Sequence, residues 1–331
     1  LTNSGQLILD EDADFVLDGS FVQNGGGTVQ TAAEISTTND SVSFADAVTL
    51  TGHVEIDTDS GTGDIDFIST TNGPYMLSLV AGSGRITLSG AAGQAVDGAL
   101  SGLQIETTGA VNLDNAVRTS GSGLDIAGST VSIADALLVE GSGTILLEAL
   151  SGSILMEADA SAVTVSGNIR MKAAVDVVLT GVDAGAAEVS IFAVQGSILD
   201  AGGAVDITAA AARLSAGTGL GTLGNGTTNA LEVTLGTLAS VSGSGGMSLL
   251  ESDSVVVGTV GTVPANEIAP DGSVQLVEDA LFLAGMSTTS GGTIVLVTVD
   301  GDITVAREVE AASDGDILLQ AQSAGADVFV Q

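Results

Sequence analysis

Carboxylates are the main chemistry-bearing side chains of this 331-residue chain, and they occur in clusters. Each cluster combines acidic residues that are alternate or close in sequence, and most flank short apolar strands. The clusters are Asp10, Asp12 and Asp14; Asp57, Asp59, Asp64 and Asp66; and Asp300, Asp302, Asp314 and Asp316. Alternate residues of a strand point to the same face, so stacked carboxylates would repel one another unless water or a cation lay between them.

These acidic clusters have two interpretations. Calcium is a hard cation that binds several oxygen ligands, and the clusters are its candidate sites. Solvated surface acid is the interpretation we favour, because the sequence reproduces neither the Gly-Gly-x-Gly-x-Asp repeat of calcium-loaded β-rolls nor the EF-hand loop. We therefore expect no required cofactor, with calcium as the alternative.

The sequence contains few residues from which other kinds of catalytic site could be built. His53 is the only histidine and cysteine is absent, which argues against a Ser-His-Asp triad and against a zinc site. Polysaccharide lyases and hydrolases are the rival enzyme class, because some are parallel β-helices and paired carboxylates can hydrolyse glycosides. The arginines are scattered and Tyr75 is the only tyrosine, so neither a uronate-binding cluster nor an aromatic sugar platform is evident. We predict that the chain is not an enzyme and has no catalytic residue.

The charge of the chain excludes several partners. With 6 Lys and Arg against 41 Asp and Glu, the formal net charge is −35. Nucleic acids and anionic lipid surfaces bind basic clusters, so both would be repelled. The longest uncharged tracts are rich in Gly, Ser and Thr, and none is apolar enough to predict a membrane span. The expected partners are copies of the chain itself or further repeats of the same kind.

A short repeat is the strongest structural signal. Gly, any residue, an aliphatic, any residue and a second aliphatic recur along the chain, which predicts a glycine-marked turn followed by a period-2 strand. The first aliphatics of these units include Ile65, Ile86, Ile145, Ile154, Ile169, Ile198, Ile294, Ile303 and Ile317. A second unit, such as Val42 to Val48 and Val111 to Val117, predicts a strand that enters a corner through Asp and Ala. The segment from Val274 to Leu281 is a longer version of that unit.

These repeats predict an all-β fold, a right-handed parallel β-helix of about 15 rungs that runs as one β-solenoid from residue 1 to 331. Aromatic residues make up only 2% of the chain, as expected for a core of stacked aliphatic layers. We expect an irregular region at 216–246, where Gly, Thr and Ser dominate, and a protruding loop at 263–272, which contains Pro264 and Pro270.

Both ends of the predicted β-solenoid consist of strand-like sequence without a cap. Leu7, Ile8 and Leu9 form the first strand, and Val328, Phe329 and Val330 form the last. Exposed strand edges are open to pairing. We therefore expect these six residues to form an assembly interface through which copies stack head to tail.

The Gly-x-Ile-x-Leu strands, the Val-x-Phe-x-Asp-Ala-Val corner and the acidic, cysteine-free composition resemble filamentous-haemagglutinin and adhesin-like repeats of large bacterial surface proteins. The resemblance covers nearly the whole chain and implies an exported β-helical protein at the cell surface, with no catalytic motif. The expected function is a structural extracellular filament subunit. The alternative is a rigid adhesin stalk within a giant secreted protein.

Overall fold

The computed structural model describes residues 1–202, 205–224 and 229–331. The chain forms two compact units, the first comprising residues 1–150 and 266–276 and the second residues 151–265 and 277–331. Every regular element among the described residues is a β-strand, and none is a helix. Parallel stacking of these strands forms a β-solenoid of about 14 turns, so the predicted all-β parallel fold is confirmed.

Unit 1 contains the strands of the first half of the chain. They are β1 (Leu7–Leu9), β2 (Phe15–Leu17), β3 (Phe21–Gln23), β4 (Val29–Thr31), β5 (Ile35–Thr37), β6 (Val42–Phe44), β7 (Val48–Leu50), β8 (Val54–Asp57), β9 (Ile65–Phe67), β10 (Thr71–Asn72), β11 (Met76–Ala81), β12 (Ile86–Leu88), β13 (Leu100–Thr107), β14 (Val111–Leu113), β15 (Val117–Gly128), β16 (Val131–Ile133), β17 (Ala136–Val139) and β18 (Thr144–Ala149).

In-register stacking builds the core of unit 1. Strands β3, β6, β9, β12, β14 and β16 pair in parallel, one per turn. One column of this stack runs from Val42 through Ile65, Ile86 and Val111 to Val131, and all five side chains are fully buried. A single turn cannot bury its own inward aliphatics, so the turns above and below supply the core contacts.

The repeated glycine also has a physical reason in this stacking. A Cβ atom on Gly84 would lie 1.9 Å from the carbonyl oxygen of Gly63 on the preceding turn. A Cβ atom on Gly109 would lie 2.2 Å from the carbonyl oxygen of Gly84. Neighbouring turns therefore approach so closely at this corner that only glycine fits without a backbone shift.

The remaining strands follow residue 150 and belong to unit 2, except where they include residues 266–276. They are β19 (Ile154–Met156), β20 (Ser161–Thr164), β21 (Ile169–Ala173), β22 (Val177–Leu179), β23 (Val182–Asp183), β24 (Glu188–Ala193), β25 (Ile198–Asp200), β26 (Ile207–Ala216), β27 (Gly219–Leu220), β28 (Leu231–Ser242), β29 (Gly246–Glu251), β30 (Val255–Val257), β31 (Thr259–Val260), β32 (Ala265–Ile268), β33 (Val274–Val277), β34 (Leu283–Ala284), β35 (Met286–Thr288), β36 (Ile294–Thr298), β37 (Ile303–Val305), β38 (Val309–Glu310), β39 (Ile317–Ala321) and β40 (Val328–Val330).

Unit 2 repeats the parallel stacking. Strand β24 pairs with β26, and β26 pairs with β28. Strand β29 pairs with β36, which pairs in turn with β39. The predicted irregular region at 216–246 contains β28, a twelve-residue strand whose side chains are largely buried. Residues 225–228 of that region lie outside the described residues.

Residues 258–285, which we call the excursion, leave the parallel stack between β30 and β35. Within unit 2, β31 and β34 pair in antiparallel fashion at the base of the excursion. Val260 and Val263 are buried there against Ala239, and Leu283 packs on the same cluster. The apolar contacts thus hold the base of the excursion against β28.

The middle of the excursion, residues 266–276, belongs to unit 1. The side-chain amide of Asn266 donates to the carbonyl of Ser122 at 2.7 Å, and the Asn266 backbone N–H donates to Thr144 Oγ1 at 2.7 Å. The Ile268 N–H donates to Asp125 Oδ2 at 2.7 Å. This segment contains most of the predicted loop at 263–272, and it is hydrogen-bonded to strands β15 and β18.

Candidate functional site

The last turn of unit 2 exposes apolar side chains. In β40, Val328, Phe329 and Val330 are 40%, 46% and 79% exposed, and in β39 Ile317 and Leu318 are each 47% exposed. Strand β39 pairs with β36, and β40 pairs with β37, each on one side. A cavity of about 530 Å³ lies among these strands, β38 and the end of β37. The predicted assembly residues of this end are therefore accessible.

The first turn of unit 1 is exposed in a similar way. Ile8 of β1 and Val16 of β2 are 63% and 84% exposed, Leu7 is half-buried, and Leu9 is buried. Strand β1 pairs with β4 and β2 with β5 through one edge each. The first turn thus presents strand edges whose backbone groups have no strand partner within unit 1 on the other side.

Asp10, Asp12 and Asp14, the first of the predicted acidic clusters, all lie exposed on the surface of unit 1. Asp10 Oδ1 accepts a hydrogen bond from the Glu11 N–H at 2.9 Å. This turn hydrogen bond gives Asp10 a local structural role, and no three of the cluster's carboxylates converge within the described part of unit 1.

The second predicted cluster divides into two structural groups. Asp57 is half-buried and accepts from the N–H of Asp59, which is exposed at a positive φ of 60°. Asp64 and Asp66 point outward beside Arg85 on the next turn, whose guanidinium lies 3.1 Å from Asp66 Oδ1 and 3.9 Å from Asp64 Oδ2. An arginine therefore offsets the repulsion that stacked carboxylates would otherwise produce.

The third predicted cluster lies in the last turns of unit 2. Asp300, Asp314 and Asp316 are exposed, and Asp302 is half-buried. Asp302 Oδ1 accepts from the N–H of Asp327 on the following turn at 2.9 Å. This contact is a link between turns, and the described residues of the cluster do not converge on a common point.

A different set of acids, which we call the carboxylate cluster, converges in unit 2. Asp200 ends β25, Asp206 immediately precedes β26, and Glu232 lies in β28. One carboxylate oxygen from each lies within 4.8 Å of the others. Asp206 and Glu232 are directly opposed on adjacent turns, because the Asp206 N–H donates to the Glu232 carbonyl at 2.7 Å and the Glu232 N–H donates to Asp206 Oδ2 at 2.9 Å.

Burial dominates the electrostatics of the carboxylate cluster. Asp206 is only 1% exposed, while Asp200 and Glu232 are half-buried. Burial, together with the charges of Asp200 and Glu232, raises the pKa of Asp206 to about 7, although the backbone hydrogen bond from Glu232 opposes the shift. The pKa of Glu232 is also raised, first by burial and then by Asp200. The site therefore disfavours three negative charges at once.

The carboxylate cluster was not among the predicted metal ligands. Its signal in the sequence is the separation of 26 residues between Asp206 and Glu232, which equals one turn at this point of the chain. The separation could be recognised only with the local turn length, which varies along the repeat.

A second acidic site, which we call the Asp125 groove, lies within unit 1. It has a volume of about 380 Å³ and is lined by side chains of β13, β15 and β18 and by residues 267–270 and 275. Burial, together with the charges of Glu267, Glu148 and Glu106, raises the pKa of Asp125 to about 7, although the hydrogen bond from the Ile268 N–H opposes the shift. The groove is thus a negatively charged concave surface with one carboxyl group that titrates near neutrality.

Glu251 is a buried acid of a different type. It is fully buried, and its carboxylate accepts hydrogen bonds from the N–H groups of Leu235, Ser252 and Asp253 at 3.1, 3.0 and 3.4 Å. Burial raises its pKa to about 8 although the backbone donors oppose this. Since its oxygens bind backbone donors, Glu251 supports the bend after β29.

His53, the only histidine, is half-buried in unit 1, and no described residue is a hydrogen-bond partner of its Nε2 atom. The cavity beside it is lined by Glu11, Glu34 and Tyr75. The described residues of this cavity include no nucleophile that is hydrogen-bonded to the imidazole.

Comparison with known proteins returned no matching family, no matching curated protein and no matching solved structure. Within the described residues, no helix has the length and apolar character needed to cross a membrane. The geometry of the fold and the exposed terminal strands are therefore the features that bear on function.

Proposed function

We propose that this chain is a structural β-solenoid subunit of an extracellular, cell-surface filament, in which copies stack head to tail through their terminal strands. The observation that carries the proposal is the exposed last turn of unit 2, where Val328, Phe329 and Val330 retain 40–79% exposure. Val328 and Val330 pair in register with inward residues of β37, which are buried, whereas Phe329 is aligned with an outward one. A further turn placed on β39 and β40 would cover Val328 and Val330 in the same way.

Apolar burial and backbone hydrogen bonding would both favour end-to-end stacking. Full burial of an exposed Val, Leu or Phe side chain stabilises by about 1.5–3 kcal/mol, and several such side chains are available at this end. Parallel pairing would also satisfy backbone N–H and C=O groups along the free edges of β39 and β40. Together these terms favour addition of another β-solenoid turn.

The first and last turns lack two residue types that often prevent edge pairing. Natural edge strands are protected by lysine, proline, bulges or a covering element. Lys172 is the only lysine, and the three prolines are Pro74, Pro264 and Pro270, so neither residue type occurs in the first or last turn. This composition supports pairing of the ends.

Charge opposes the association and gives it a diagnostic salt dependence. Each copy carries a formal net charge of −35, so copies repel one another over a Debye length of about 10 Å at moderate salt. Added salt screens this repulsion while it leaves apolar burial intact. End-to-end assembly should therefore increase with ionic strength.

Negative-stain electron microscopy and analytical ultracentrifugation over a dilution series test the proposal. The wild-type chain should form linear particles that shorten on dilution and lengthen with added salt. Val330→Asp, which places a charge on the 79% exposed end residue, should give single particles. Val96→Asp is the matched control, because Val96 is 92% exposed but lies in a loop between β12 and β13.

Two outcomes would overturn the proposal. One is a wild-type chain that stays monodisperse at every concentration and salt level, and the other is assembly that Val330→Asp and Val96→Asp weaken equally. Either result would leave the rigid adhesin stalk as the function to test, with further β-solenoid turns supplied by the same polypeptide.

A further inference from the structure

The buried carboxylate of Asp206, in unit 2, has one oxygen atom that accepts no described hydrogen bond. The residue is 1% exposed, and its Oδ2 atom accepts a hydrogen bond from the Glu232 N–H at 2.9 Å. Its Oδ1 atom is buried and has no hydrogen-bond partner among the residues that the structure describes. A buried carboxylate oxygen without a donor is costly, so this atom requires a proton or a ligand.

The side chains that converge with the Asp206 carboxylate are also acceptors. Carboxylate oxygens of Asp200, Asp206 and Glu232 all lie within 4.8 Å of one another. No described ion pair joins any of the three to a lysine or an arginine. Like charges directly opposite on adjacent strands repel, and Asp206 and Glu232 occupy such positions.

We propose that the carboxylate cluster binds a hard divalent cation, with Asp200, Asp206 and Glu232 as its protein ligands. Three carboxylates supply only oxygen atoms, which calcium and magnesium prefer over nitrogen or sulfur. Calcium binds oxygen at about 2.3–2.6 Å, so oxygens on opposite sides of one ion are separated by about 5 Å. Carboxylate oxygens of the three residues lie within 4.8 Å of one another, close enough for one such ion to contact all three.

The bound cation would act as a cross-link between turns of unit 2. Asp206 and Glu232 belong to adjacent turns, and Asp200 reaches the same point from the end of β25. An ion held by all three would neutralise most of the cluster's charge and would join β25, the start of β26 and β28. The expected effect is a more stable unit 2 and slower opening of this corner.

Calorimetric titration of the full chain with Ca²⁺ alone and with Mg²⁺ alone, at physiological ionic strength, tests this inference. The wild type should bind one equivalent of at least one of these ions specifically, with a Kd between about 10⁻⁶ and 10⁻³ M. Asp206→Asn should weaken that binding by at least about tenfold. Asp12→Asn removes the same charge from an exposed acid of unit 1 and should leave the binding unchanged.

A thermal melt supplies the second measurement. A cation concentration that saturates the wild type should raise the unfolding midpoint of the wild type and of Asp12→Asn, and it should raise that of Asp206→Asn less. Asp200→Asn, at a half-buried position, is the substitute if the Asp206 variant does not fold. Its binding should be weakened in the same direction.

The alternative is a proton shared between Asp206 and Glu232, and the same experiments separate it from a cation. Absence of specific Ca²⁺ or Mg²⁺ binding to the wild type would overturn the proposal and favour the shared proton. Equal losses in Asp206→Asn and Asp12→Asn would overturn it too, because they would show diffuse attraction to the acidic surface. These readouts do not depend on filament formation, so they are independent of the proposed function.

Discussion

Removal of the Asp279 carboxylate should loosen the excursion, residues 258–285. The carboxylate lies 3.4 Å from Arg170 Nε and 3.4 Å from Arg213 Nε, on two strands of unit 2. It also accepts hydrogen bonds from Ser190 Oγ at 3.2 Å and from the Val263 N–H at 3.2 Å. Asp279→Ala removes these interactions and leaves two positive charges facing an apolar methyl group.

The size of the expected loss in the free energy of local opening follows from the burial of the three charged side chains. Removal of one partner from a buried ion pair costs about 3–5 kcal/mol. Asp279, Arg170 and Arg213 are 11%, 13% and 15% exposed, so water can partly compensate and the lower limit applies. We expect a loss of about 3 kcal/mol in the free energy of local opening, which is roughly a 150-fold increase in the open population.

Hydrogen exchange measures this opening directly. Amides at the base of the excursion, such as those of Val260 and Val263, should exchange roughly 150-fold faster in Asp279→Ala, while those of the parallel stack in unit 1 should not change. Glu278→Ala is the matched control, because Glu278 is exposed and its carboxylate accepts one hydrogen bond, from Thr262. That variant should lose less than about 1 kcal/mol.

Equal exchange rates in Asp279→Ala and Glu278→Ala would refute this reasoning. Such a result would mean that the apolar contacts of Val260, Val263 and Leu283 hold the excursion without help from the ion pairs. The arginines would then be solvated at no measurable cost.

Two further predictions concern unit 1. Phe44→Ala should destabilise the unit by about 3–5 kcal/mol in chemical denaturation, because Phe44 is 1% exposed and its ring centroid lies 5.3 Å from that of Phe21 and 5.1 Å from that of Phe67. Phe15→Ala is the control and should cost less, because Phe15 is half-buried at the end of this row of rings. Equal losses in the two variants would contradict the packing argument. The pKa of Asp125 is raised from 3.8 to about 7, chiefly by burial, so the folded state holds an extra proton between about pH 4 and pH 7. The free energy of unfolding should therefore fall as the pH rises through that window, by at most about 4 kcal/mol. Denaturant melts at the two ends of the window should show a smaller fall for Asp125→Asn, and an unchanged fall would refute the assignment to Asp125.

The repeated strand unit predicted most of the fold. Ile65, Ile86 and Ile303 were predicted to face inward, and each is fully buried in a parallel strand. The corner unit from Val42 to Val48 likewise contains the whole of β6, a bend and the first residue of β7. Such local patterns are informative because every turn repeats the same environment.

The sequence pattern of the segment from Val274 to Leu281 did not predict which sheet its strand would join. It resembles the corner units in sequence, yet Val274 and Leu276 are 45% and 70% exposed in β33, which lies in a two-stranded sheet outside the parallel stack. Alternation of aliphatic and polar residues specifies a strand but not the sheet it joins. That choice depended on contacts of the excursion with residues far away in sequence, such as Asp125 and Arg213.

The sequence by itself determined the fold class, the direction in which the repeated aliphatics point and the acidic character of the surface. These properties are local, since period-2 alternation and close turns at glycine act within one rung or between neighbours. Only the tertiary structure decided which acids meet. Asp200, Asp206 and Glu232 converge although they belong to no common motif, because the register between turns of unequal length brings them to one corner.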